Sequence, residues 1–242
     1  MLVAGAVLPH PPLLVPDVAA GAAHELESVR SACAAALDQV QSANPDLVVV
    51  VGVGSEHATF EPGSTGSLAG FGVPVQAALP GAPPAPGATL PLSLTVGAWL
   101  LGQVDDRPAL RAEAVPQEVA PAEAAAWGQR WGAAANRVAV IAMGDGSAAL
   151  TVKAPGYLVE GAEVWQRRVT QALADVDLDA IGAIDAEATA AFAVAGRPAW
   201  QVLAGAARAT AAGPGRWRGE LLADESPYGV AYVVATWMWE QA

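Results

Sequence analysis

Residues 46–53, DLVVVVGV, constrain the chain most, because four successive β-branched valines at 48–51 resist helix and favour a strand covered on both faces. Two further runs, LVAGAVL at 2–8 and RVAVIAM at 137–143, read the same way. Buried strands of this kind belong to a parallel sheet, and parallel neighbours need crossover segments between them. The intervening sequence supplies these. From Val18 to Gln41 the apolar positions Leu26, Val29, Cys33, Leu37 and Val40 recur at helical spacing, with Asp17 placed to cap the helix. Helices are also predicted over 91–103, 121–135, 160–175, 185–194 and 198–212, and strands over 71–79 and 110–115. Trp127 and Trp131, at i and i+4, form a packing pair. Residues 216–224 and 228–239 read as two strands joined by the turn Glu225-Ser226-Pro227. GSEHATFEPGSTGSLAGFG, after the second run, and 80–91 read as loops. The pattern predicts an α/β fold, with a mainly parallel central sheet, helices on both faces and a C-terminal strand hairpin. No linker divides the chain, so residues 1–242 are read as one domain.

Charge and cysteine usage narrow the function. A formal net charge of −12 repels phosphate backbones and anionic head groups, which argues against nucleic acid and membrane surfaces as partners. Cys33 is the only cysteine, so neither an internal disulfide nor a cysteine zinc site is expected. The start, MLVAGAVLPH, lacks a basic region and a small-residue cleavage site, and the longest apolar stretch, at 90–102, is short for a membrane span of ~20 residues. A cytoplasmic protein is the expectation. Eight tryptophans offer packing area for a core or for a partner surface, a homo-oligomer included.

The chemistry-bearing residues cluster at strand ends. His10, in LPHPPLLVP, follows the first strand, and His57, in VVVVGVGSEH, follows the second clear one. Ligands in open α/β sheets sit beyond the carboxyl ends of the strands. Two imidazoles with one carboxylate leave open positions on a metal, as O₂ chemistry at Fe(II) requires. The plain alternative is two loop histidines hydrogen-bonded to their surroundings. MGDGSAAL after the third run echoes VGVGSEHA, and its glycines allow a tight turn beside a bound group, with Asp145 free to accept a hydrogen bond or hold a cation. Neither stretch is a dinucleotide fingerprint or a nucleophile elbow. Lys153 is the only lysine, placed either to meet an anionic group or Asp145 or simply to face solvent, and His24 reads as a solvent-facing helix residue.

LPHPPLLVP, VVVVGVGSEH and IAMGDGSA, in this order and at these strand ends, resemble the class III extradiol ring-cleavage dioxygenases. These are relatives of the protocatechuate dioxygenase catalytic subunit, in a superfamily that also holds the Memo-like proteins. The resemblance spans most of the chain as an order of elements. It implies an α/β sandwich, non-haem Fe(II) held by two histidines and a carboxylate, and a catechol-type aromatic substrate bound beside O₂. His10 and His57 match the metal histidines. Two positions depart from the pattern: Ala148 stands where relatives carry an acid/base histidine, and Ala195 stands where they carry the third ligand. Glu225 is the replacement ligand we expect, with Asp145 and Ser147 orienting substrate. Two functions follow. One is a divergent Fe(II)-dependent dioxygenase, with Zn(II) as the other metal to consider. The second is a metal-free binding or scaffold protein that has lost the chemistry. A hydrolase using Ser147 or Ser55 with His57 is a weaker third.

Overall fold

The computed structural model describes residues 1–85, 87, 89–104 and 108–241. Four apolar strands form the centre of a seven-stranded sheet: β1 (Leu2–Leu8), β2 (Leu47–Gly54), β6 (Ala109–Pro116) and β7 (Val138–Met143). They pair in parallel, β1 with β7, β7 with β2 and β2 with β6. The short β3 (Ala58–Phe60) closes one margin antiparallel to β6. At the other, β9 (Tyr232–Gln241) runs antiparallel to β1, and β8 (Gly215–Glu225) pairs with β9 across a register slip between Leu221 and Ala223. The strand order is β3-β6-β2-β7-β1-β9-β8. A separate two-stranded piece joins β4 (Thr65–Ser67) to β5 (Gln76–Ala78).

The fold is the α/β arrangement that the strand-and-helix alternation predicts. After a short α1 (Pro16–Ala19), α2 (Glu27–Ser42) crosses from β1 to β2. Crossovers through α3 (Leu92–Leu101) and α4 (Pro121–Gly132) lead to β6 and β7. Four helices then separate β7 from the terminal hairpin: α5 (Ala162–Asp175), α6 (Leu178–Gly182), α7 (Ala186–Ala191) and α8 (Arg197–Ala211). Alternate residues of each strand feed two cores. Val48 and Val50 pack with Cys33 and Leu37 of α2 and Leu94 of α3. Val49 and Val51 pack with Ala124 of α4 and Trp200 of α8. No helix among the described residues is long and apolar enough to cross a membrane.

Local chemistry explains where elements differ from expectation. The helix expected from Val18 is broken at Ala20, whose φ of 48° lies outside the helical region, and a 3₁₀ segment precedes α2. Asp17 lies inside α1 and does not cap it; Val15 is the cap residue, with no side-chain bond. The strand expected over 71–79 shrinks to β5, because Gly72 takes a φ of 84° and Pro74 has no N–H for a ladder. β3, β4 and α6 were not anticipated. Residues 86 and 88 of the loop expected over 80–91 lie outside the described residues.

Candidate functional site

Because Leu8 pairs with Met143 across the β1–β7 ladder, the residues two positions beyond each, His10 and Asp145, emerge side by side. The backbone N–H of His10 donates to Asp145 Oδ1 at 2.7 Å. The imidazole Nδ1 stands 3.8 Å from the same oxygen, beyond hydrogen-bond reach, and has no partner although it is buried. The turn carrying Asp145 is fixed on three sides. Gly144 N–H donates to Leu8 O, Gly146 N–H donates to Ala231 O, and Asp145 O accepts from Gly196 N–H at the start of α8. Gly144 is required by contact, since a Cβ there would lie 2.4 Å from the Gly196 Cα.

Burial raises the Asp145 carboxyl above the usual carboxylate range, against the opposing pull of His10. Burial and then the Asp145 charge push the Cys33 thiol up to about 12, which leaves it an inert core group at neutral pH. Burial, Asp145 and Tyr228 push the Tyr232 phenol upward. Cys33 and Tyr232 belong to the core beneath α2 and α3, and both feel the Asp145 charge, so Asp145 sits toward that face of the sheet.

His57 lies on the other face. Its Nε2 is 2.7 Å from Oε1 of Glu113, a wholly buried carboxylate on β6. Its ring stacks on Trp127 of α4, with centroids 4.2 Å apart and planes 8° from parallel. Trp131 Nε1 donates to the other Glu113 oxygen at 2.6 Å, and the Arg130 guanidinium approaches at 3.7 Å. Trp127 and Trp131 both pack against the core beneath α4 and α8. The expected tryptophan pair therefore faces a buried carboxylate and an imidazole. Glu113 was missed; the only trace of it is a single acid among the small apolar residues of RAEAVP.

Glu225 ends β8 at the far margin of the sheet, four strands from β2, and accepts a hydrogen bond from Ser28 Oγ at 3.0 Å. Strand spacing alone puts that margin roughly 19 Å from β2. The set His10, His57 and Glu225 is therefore not brought together, and no three His, Cys, Asp or Glu side chains group as a metal would need among the described residues. The donors do not fit a two-histidine, one-carboxylate centre. Ser147 is wholly buried, and its hydroxyl donates to Phe192 O at 2.9 Å and accepts from Ala149 N–H at 3.1 Å. It braces the loop and presents no free hydroxyl to a substrate or a nucleophilic reaction. Ala195 lines a cavity of about 270 Å³ with Gln117, Glu118 and Thr189. Lys153 is exposed and pairs with no acid among the described residues.

Sequence reasoning also missed Arg197, which is fully buried at the start of α8. It donates to Val119 O at 2.9 Å, to Gln117 O, and to Gln201 Oε1 at 3.0 Å. Burial lowers its pKa. It clamps the β6–α4 connection to α8, next to the turn that holds Asp145.

The chain aligns over 98% of its length with 99% of an uncharacterized protein, JW3007, from Escherichia coli K12, at a TM-score of 0.55 and 15% identity. The two chains share one fold. No protein-family profile and no curated protein matches the chain.

Proposed function

We propose that the chain is a diverged relative of the class III extradiol dioxygenases that binds a small hydroxyl-bearing aromatic at the His10–Asp145 end of the sheet and does not cleave it. The observation that carries this reading is the direction of His57. Glu113 and Trp127 hold its ring on the face opposite His10. The sequence resemblance supports the superfamily, and the alanines at 148 and 195 support loss of the chemistry. The unpartnered His10 Nδ1 and the Asp145 carboxyl, whose pKa burial raises, are polar groups suited to hydrogen-bonding a phenolic hydroxyl.

The test is to titrate the purified protein with Fe(II) under anaerobic conditions and with Zn(II), then with catechol, following heat, metal content, tryptophan fluorescence and oxygen uptake. Catechol binding that is lost in His10→Ala, without stoichiometric metal and without oxygen uptake, is expected. One iron per chain, removed equally by His10→Ala and His57→Ala, would overturn the reading. A metal-binding alternative has one observation in its favour, the buried Nδ1 facing Asp145 at 3.8 Å. It predicts metal binding that is abolished by His10→Ala or Asp145→Ala and untouched by His57→Ala.

A further inference from the structure

Between β7 and α5 the chain runs through a long loop, residues 144–161, whose backbone is tied down. Gly156 N–H donates to Ala148 O at 2.9 Å, Val159 N–H donates to Ala149 O at 3.1 Å, and Leu150 N–H donates to Gly229 O at 3.2 Å. Ala154 is buried between these ties. The large side chains beside it are not: Val152 is 70% exposed, Tyr157 74% and Leu158 57%. With Val164, in the first turn of α5, they are half of the large apolar side chains left exposed among the described residues. Exposed apolar side chains gathered in this way mark an interaction surface. Tyr157 adds to the case. Its φ of 57° is costly for a bulky residue, and a ring so exposed gains little packing within the chain to offset that cost.

Charge identifies the occupant. Residues 151–168 carry three cations, Lys153, Arg167 and Arg168, against two acids, Glu160 and Glu163, so this segment is net +1 in a chain of net −12. Two copies of the chain repel each other least where these segments meet. The loop is also self-complementary. Lys153 precedes its apolar stretch and Glu160 follows it, with no charge between them, and both are exposed. A two-fold contact places the same patch on both subunits, so opposite charges at its two ends find each other. We propose that this loop is the contact surface of a weak two-fold dimer of the chain. In it the Tyr157 and Leu158 side chains of the two copies pack together at the centre, and Lys153 of each copy meets Glu160 of the other. The contact stands or falls independently of the function proposed above.

Sedimentation velocity on the full chain, over about 2–200 µM, the range suited to a small transient interface, is expected to show monomer passing into dimer. Tyr157→Gly is expected to weaken the dimer at least about tenfold. Its urea midpoint, measured on the dilute monomer, is expected to be no lower than the wild type's, because glycine takes a positive φ without strain. That result separates a lost contact from a lost fold. Lys153→Glu is expected to weaken the dimer about three- to tenfold, and the combined Lys153→Glu, Glu160→Lys variant, whose net charge equals the wild type's, to restore it. A carbodiimide joins an amine to a carboxylate without a spacer, and Lys153 is the only lysine, so a lysine link can start nowhere else. In a mixture of isotope-labelled and unlabelled chains, mass spectrometry is expected to find Lys153 of one chain joined to Glu160 of the other. A wild-type chain that stays monomeric throughout, a dimer unaffected by Tyr157→Gly, a charge exchange that restores nothing, or the absence of the interchain link would each overturn the proposal.

Discussion

Glu113 is a wholly buried carboxylate and Asp145 a half-buried one, and their surroundings give them different tasks. Glu113 receives donors on both oxygens, from His57 and Trp131. Asp145 accepts the backbone N–H of His10, and burial dominates its ionisation. A carboxyl whose folded pKa lies above its unfolded value binds the proton more tightly in the folded state. Its contribution to stability is therefore most favourable at acid pH, below the unfolded value, and declines as pH rises through the folded one. Asp145→Asn keeps an oxygen for the His10 N–H and removes the charge. It should raise the urea midpoint at pH 7, with a smaller gain at pH 4. A lower midpoint at pH 7 would show that the charge is compensated by something other than His10. The neighbourhood of His10 and Asp145 was legible because ladder register carries both residues equally far beyond paired positions. The direction of His57 was not, because the turn Ser55-Glu56-His57 can project the last ring to either face, and a carboxylate from a distant strand decides which.

At the scale of elements, α4 stations Trp127 and Trp131 over β6 because it lies unusually close to α8. A Cβ on Gly128 would stand 1.9 Å from Val202 O, and one on Gly205 would stand 2.3 Å from Ala125 O. Gly128→Ala improves helix propensity by ~1 kcal/mol yet forces the two backbones apart. We expect a net loss of about 1–3 kcal/mol in chemical denaturation, the range for overpacking. We also expect a weakened His57–Trp127 stack, visible as a change in the near-ultraviolet dichroism of tryptophan. Stability equal to or above the wild type would mean that the helices can separate without cost. The sequence announces both helices through their apolar spacing. It does not announce how closely they approach, since a mid-helix glycine reads as a weakness until its partner backbone is known. The central strands were readable for the opposite reason: an uninterrupted β-branched run has few other uses.

For the molecule as a whole, the net charge of −12 is spread over a surface with few compensating cations. Self-repulsion of this kind is screened by salt. Melting temperature should rise between low salt and about 0.5 M sodium chloride, where the Debye length falls below ~5 Å. A fall would point to attractive ion pairs outweighing the repulsion. The sheet's outer margin carries a second consequence. The slip between Leu221 and Ala223 puts two successive β8 residues opposite one step of β9. An incoming strand aligned with Arg216 and Arg218 is thereby out of phase by the time it reaches Asp224. The last strand offers other chains a broken template, and lateral growth into an aggregate is discouraged by geometry before charge is considered.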